Sequence, residues 1–290
     1  MAFTTAQAFT EFAGKLTPTA AQNLTIASRR STVQARLLAA FPPNSDLPLL
    51  EVRTIGSVDR QTIIRPLHDV DLLAVFKGGL STFAARFFGS GTFITSIRNA
   101  LNDSSAAIVG TRGQAVRIFY NTPPWVDVAP VFPRGAGGYT LPDGHNGWLA
   151  TDPDFHKRWI DEQNARLGHQ LKPLARLMKR WNRVHSERLS SFHIEVMVAH
   201  TFDSIGNNHR QAAAMFFDTG ASRLHSRDPA GHSGDLASKL TSAQQQAILQ
   251  SFTSASQRAV RALDAERRGD HAEAIRLWTI IFGDEFPHYG

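Results

Sequence analysis

Cysteine is absent from this 290-residue chain, which removes a disulfide framework, a thiolate zinc site and a cysteine nucleophile together. No uninterrupted apolar run approaches the ~20 residues of a membrane helix, so a soluble, cytoplasmic protein with no membrane partner is expected. The N-terminal segment carries Phe3, Phe9 and Phe12 among polar residues and lacks the basic and apolar regions of an export signal. Internal repeats and low-complexity tails are also missing. Charge of either sign is only mildly in excess, with 31 Lys and Arg against 25 Asp and Glu and a net charge of +6. That balance suits an anionic ligand such as a nucleotide and is weak evidence for nucleic acid. The basic runs at 176–188 and 258–268 read first as solvated helix faces.

What the chain does have is a change of character near its middle. Residues 3–15 and 20–41 read as helices, the second started by Thr17-Pro18-Thr19. Strand candidates follow at 47–55, 70–76, 106–109, 115–120 and 125–131, with a helical pattern at 83–101. Residues 134–154 are rich in glycine, proline, asparagine and aspartate and read as a loop or crossing. Helical spacing then dominates at 155–167, 171–184, 191–203, 211–224, 242–266 and 270–282.

The chemistry concentrates around Gly56-Ser57 and His68-Asp69-Val70-Asp71-Leu72, with a further acid at Val126-Asp127-Val128. Asp69 and Asp71 are two apart on a strand, so both carboxylates face one side while Val70 and Leu72 face the other. Two bare carboxylates on one face repel unless a cation intervenes, and hard oxygen donors suit Mg²⁺ or Mn²⁺. Asp127 reads as either a strand-end acid satisfied by backbone or the third ligand of a two-metal site. Gly56 permits close backbone approach to a phosphate, and Ser57 offers an N–H and a hydroxyl.

In the helical half, Lys179 lies in an amphipathic pattern beside Leu174, Leu177, Met178 and Trp181. It reads as a solvated cation or a phosphate ligand. The serines at 190 and 191 stand at a helix start, where a hydroxyl caps the helix or meets an anion. Phe192 reads as core or as a stacking platform for a base. His193 and Glu195 read as structural, because neither has a second His or acid four residues on.

Taken in order, GSVDRQTIIRPLHDVDLL, WVDVAPVF, LPDGHNGWLATDP, LKPLARLMKRWN, LSSFHIE, DPAGHSGDLASKL and IFGDEFP resemble the bacterial cGAS/DncV-like nucleotidyltransferases. These are relatives of oligoadenylate synthetase and cyclic GMP-AMP synthase, and the resemblance spans nearly the whole chain. It implies an α+β fold: a polymerase beta-like mixed-sheet core with N-terminal helices over residues 1–150, and a helical domain over 151–290, with the active site in the cleft between them. It implies two Mg²⁺ or Mn²⁺ ions on Asp69, Asp71 and Asp127, and nucleoside triphosphates such as ATP or GTP as substrates. Gly56 and Ser57 match the phosphate-gripping turn, Lys179 and Ser191 match residues that reach the triphosphate, and Phe192 takes the place of an aromatic that stacks on the donor base.

The implied activity is synthesis of a cyclic di- or oligonucleotide second messenger in antiphage (CBASS) signalling, with operon-encoded regulators and an effector that reads the product. Nucleotide transfer to an RNA end or a protein, and a non-catalytic nucleotide- or RNA-binding scaffold, are the other readings of the same residues. Gln61 departs from the pattern, since relatives often carry glycine there. The missing cysteines leave no zinc ribbon, so activation by DNA is not implied.

Overall fold

Thr4 and Thr19 each form a reciprocal capping box with a glutamine three residues on, which starts α1 (Thr5–Leu16) and α2 (Ala20–Ala40). The computed structural model describes residues 2–78, 89–102 and 107–290. Its contacts divide the chain into two units: Pro18–Gln61 with Pro66–Lys157, and Met1–Thr17 with Thr62–Arg65 and Arg158–Gly290.

The first unit is built on a seven-stranded sheet. Its strands are β1 (Leu49–Thr54), β2 (Asp69–Phe76), β3 (Ala107–Arg112), β4 (Ala115–Tyr120), β5 (Trp125–Pro133), β6 (Tyr139–Pro142) and β7 (Trp148–Thr151). The order is β1-β2-β5-β4-β3, with β6 on β5 and β7 on β6. Among the described strands only β2 and β5 run parallel; the remaining ladders are antiparallel. After β1 comes a single turn of helix, α3 (Gly56–Asp59). Helix α4 (Ser90–Leu101) buries Phe93, Ile94, Ile97 and Leu101, and Phe93 stacks on Phe132 at 4.9 Å.

Two expectations change here. Residues 134–154 contain the β6–β7 hairpin rather than a plain loop, because four-residue strands between glycine-rich turns show no periodicity long enough to read. The expected helix over 83–101 is seen from Ser90, and the expected strand over 106–109 is seen as β3 from Ala107; residues 83–88 and 106 lie outside the described residues.

The helical unit contains α1 and, after α5 (Pro153–Arg166), the helices α6 (Leu171–Val184), α7 (Ser191–Thr201), α8 (His209–Thr219), α9 (Ser242–Arg267) and α10 (His271–Phe282). A division at residue 150 keeps α1 with the sheet. Its contacts place it with the helices instead, because Phe9 meets Trp278 at 4.9 Å and Phe12 meets Phe286 at 5.0 Å. Helix α6 buries Leu171, Leu174, Ala175, Met178 and Trp181, the spacing of one apolar stripe. Asn182 closes the turn after it, donating to the Leu189 carbonyl at 2.8 Å and accepting from the Leu189 amide at 3.1 Å.

Candidate active site

The sheet brings the three predicted acids onto neighbouring strands. In the parallel β2–β5 ladder Asp71 pairs with Asp127 and Asp69 with Trp125, so the acids alternate with Val70, Val126 and Val128, all buried. Only the first residues of β2 leave a face open, and from Leu72 onward the strand is buried on both sides. The acids therefore occupy the end of the strand where carboxylates can reach solvent.

Asp71 is held from behind by the turn that precedes it. The Ile55 amide donates to the Asp71 carbonyl at 3.0 Å, and Gly56 sits at φ +67°. A Cβ on Gly56 would fall 2.4 Å from Asp71 Oδ2. Both the left-handed backbone and the close approach require glycine. Ser57 is half-buried in the same turn. Burial, then the charges of Asp69 and Asp127, push the Asp71 carboxyl up to about 6, against the opposing pull of Arg60 and Arg117.

A residue that the sequence reading missed organises the cluster. Arg117, on β4, stands opposite Asp127 and donates to it from Nε at 2.6 Å and Nη2 at 2.5 Å, and from Nη2 to Asp69 Oδ2 at 2.8 Å. Its pKa is raised, chiefly by the hydrogen bond to Asp127. Arg112 lies farther out, 3.5 Å from Asp69 and 3.8 Å from Asp127. The available signal was an arginine between Val116 and Ile118 in a strand whose neighbours are fully buried, since a charge there needs a partner.

The three carboxylates on adjacent strands are hard oxygen donors of the kind a divalent cation takes, and burial, then the charges of Asp69 and Asp127, disfavour the ionised Asp71 that such a cation would relieve. Among the described residues no group of His, Asp or Glu is arranged to hold a metal ion as it stands. At the triad Arg117 takes oxygens of Asp127 and Asp69 in that role.

The other predicted residues lie in the helical unit. Lys179 is buried, and its ammonium donates to the Thr62 carbonyl at 3.0 Å, to Thr62 Oγ1 at 2.8 Å and to Glu195 Oε1. Thr62 Oγ1 in turn donates to Glu195 Oε1 at 2.6 Å. Three donors meet three acceptors, so this lysine is neither a solvated cation nor turned outward to a ligand. Ser190 caps α7 by accepting from the His193 amide at 3.2 Å, which leaves the exposed Ser191 hydroxyl unneeded for capping. Phe192 is half-buried against the helical core. His193 is buried and bonds the Leu224 carbonyl at 2.7 Å, as the structural reading expected.

Within the matched motifs, Asp143 and Asp228 are loop organisers. Asp143 accepts from the His145 and Gly147 amides, and Asp228 from those of Ala230, His232 and Ser233.

A mixed sheet followed by a helical C-terminal part is the nucleotidyltransferase fold. The family model for the Second Messenger Oligonucleotide or Dinucleotide Synthetase domain matches residues 3–164, more than half of the chain. The chain belongs to that family, and is an enzyme of cyclic oligonucleotide second-messenger synthesis.

Two curated relatives agree. A probable cyclic nucleotide synthase of Bacillus cereus (strain VD146) is 28% identical over 275 residues, covering 82% of this chain and 83% of the relative. The cyclic AMP-AMP-AMP synthase of Acinetobacter sp. (strain ATCC 27244 / 9458) is 24% identical over 308 residues, covering 98% and 86%.

Solved structures share the fold at lower identity. Vibrio cholerae DncV cyclic AMP-GMP synthase, in complex with a linear intermediate, superposes with a TM-score of 0.80 at 14% identity over 99% of this chain and 97% of that one. E. coli MS115-1 CdnC, in complex with HORMA-deltaN, gives 0.75 at 20% over 97% and 98%. No helix among the described residues is long and apolar enough to cross a membrane.

Proposed function

We propose that this chain joins nucleoside triphosphates into a cyclic di- or oligonucleotide in bacterial antiphage (CBASS) signalling, with Asp69, Asp71 and Asp127 as its catalytic acids. The observation that carries the assignment is the in-register pairing of Asp71 with Asp127, one strand over and beside Asp69.

In the reaction a ribose hydroxyl oxygen bonds to the α-phosphorus of a triphosphate, the bond to the bridging oxygen breaks, and pyrophosphate leaves. The step repeats, with one pyrophosphate released per linkage, and the last linkage closes the ring: the second in a cyclic dinucleotide, a later one in a larger ring. The hydroxyl proton passes to a carboxylate of the cluster, Asp127 in this reading. Asp69, Asp71 and Asp127 would hold Mg²⁺ or Mn²⁺, which when bound supplies charge neutralisation at the phosphate and lowers the pKa of the attacking hydroxyl. Arg117 fixes the orientation of Asp127 and Asp69, and the Gly56–Ser57 turn grips phosphate oxygens.

From the helical unit, Ser191 offers a hydroxyl to the triphosphate and the half-buried Phe192 a ring that stacks on the donor base. Lys179 acts through Thr62 and Glu195, holding α6, α7 and the Thr62–Arg65 segment together. The direct triphosphate contact implied by the resemblance would require its ammonium to leave Glu195. The HORMA-bound CdnC structure supports regulation by a partner protein, and a cytoplasmic location suits the triphosphate supply.

The test is incubation of purified protein with labelled nucleoside triphosphates and Mg²⁺, with and without RNA, followed by phosphatase. A phosphatase-resistant cyclic product supports the reading. Label appearing only on added RNA or on protein overturns it.

A further inference from the structure

The helical unit contains a cavity of about 340 Å³ whose polar wall is His185, Arg188, Gln250, Ser251, Ser254 and Arg258. The α9 residues in it recur at helical spacing, so one face of that helix forms a side of the cavity. Ala247, Ala255, Ile280 and Ile281 supply an apolar wall.

The guanidiniums are tethered but not neutralised. Arg188 donates from Nη1 to the His185 carbonyl at 2.9 Å, and Arg258 from Nη1 to the Ser254 carbonyl at 3.1 Å and to the Ser254 hydroxyl. Among the described residues neither has a carboxylate partner, and their other N–H groups have no protein acceptor. His185 bonds the Ile281 carbonyl through Nε2 at 3.0 Å. Burial, then Arg258 and Arg188, press its pKa down against the opposing pull of the Ile281 hydrogen bond, so the ring stays neutral at pH 7. Arg188 and Arg258 both line the cavity.

Two forks of N–H donors beside hydroxyls match the several acceptor oxygens of a phosphate. The volume stands at the small end of ligand sites, and the apolar wall suits a flat organic body.

We propose that this cavity binds a compact organic phosphate of nucleoside monophosphate size, its phosphate on Arg188 and Arg258 and its body on the Ala247, Ala255, Ile280 and Ile281 wall. None of these residues belongs to the acid cluster or to the proposed substrate contacts.

The experiment is calorimetric titration of the metal-free full chain carrying Asp69→Asn and Asp71→Asn with AMP, and in parallel with inorganic phosphate and with adenosine. AMP is expected to bind more tightly than either half. Arg188→Gln with Arg258→Gln should weaken AMP at least tenfold, about 1.4 kcal/mol. Ser251→Trp, which fills the cavity and leaves both guanidiniums in place, should do the same and decides the matter if the arginine variant does not fold. AMP affinity unchanged in either folded variant, or no binding of AMP at millimolar concentration, overturns the site. Inorganic phosphate binding as tightly as AMP overturns the organic body.

Discussion

Arg117 and Asp127 face each other across β4 and β5, and two short hydrogen bonds tie the guanidinium to both carboxylate oxygens, with a third reaching Asp69 at 2.8 Å. The cluster proposed to hold divalent cations thus carries its own fixed counter-ion. Three carboxylates on adjacent strands would otherwise repel in a partly desolvated site.

Arg117→Gln should therefore destabilise the metal-free protein. Breaking a buried pair costs about 3–5 kcal/mol, and less is expected here because the Asp69 side chain is 44% exposed. Thermal melts with and without Mn²⁺ check this: the metal should raise Tm more in the variant than in the wild type. An equal rise in both would mean that Arg117 and metal do not share oxygens.

Asp71 gives a pH signature. Its folded pKa, about 6, lies above the ordinary carboxylate value, so its ionisation works against the fold. The penalty is absent well below pH 4, grows through the interval up to about 6 and is complete above it. Asp71→Asn should raise Tm of the metal-free protein at pH 7.5, with little gain near pH 4, and should abolish turnover. A Tm gain independent of pH would contradict the ionisation penalty assigned to the buried Asp71 carboxyl.

Lys179 and Ser191 should separate stability from ligand binding. Lys179→Ala leaves Glu195 buried without its cation, and a loss of about 3–5 kcal/mol is expected. Lys179→Met with Glu195→Leu should lose much less. Ser191→Ala should leave Tm unchanged, since Ser190 is the cap, and raise KM for the triphosphate. Denaturation curves beside nucleotide titrations of folded protein check both. A Lys179→Ala variant of normal stability and weakened triphosphate affinity would restore the direct contact.

Gln61 adopts φ +58°, in the left-handed region that glycine adopts without strain. A side chain in that region costs roughly 1–2 kcal/mol, partly offset by the greater freedom of an unfolded glycine. Gln61→Gly should be more stable than Gln61→Val by at least about 1 kcal/mol. Denaturant midpoints giving equal stability would remove the strain.

The acids were legible because alternation on a strand fixes their common face, and β2 begins at Asp69. Helix α6 (Leu171–Val184) was legible to the residue, since its apolar stripe runs from Leu171 at the first turn to Trp181 in the last. Arg117 was not: its role depends on β4 pairing with β5, a register that no local pattern encodes. Lys179 was hidden for a related reason. Helical spacing shows that it neighbours Met178, but not that Thr62, 117 positions away, supplies two of its acceptors.

The most direct test of the central claim is nucleotide incorporation by the Asp69→Ala, Asp71→Ala double variant, measured with labelled triphosphates and Mn²⁺ beside a thermal melt of the same preparation. The account predicts a folded protein with no product. Product formed at the wild-type rate by the folded double variant would contradict it.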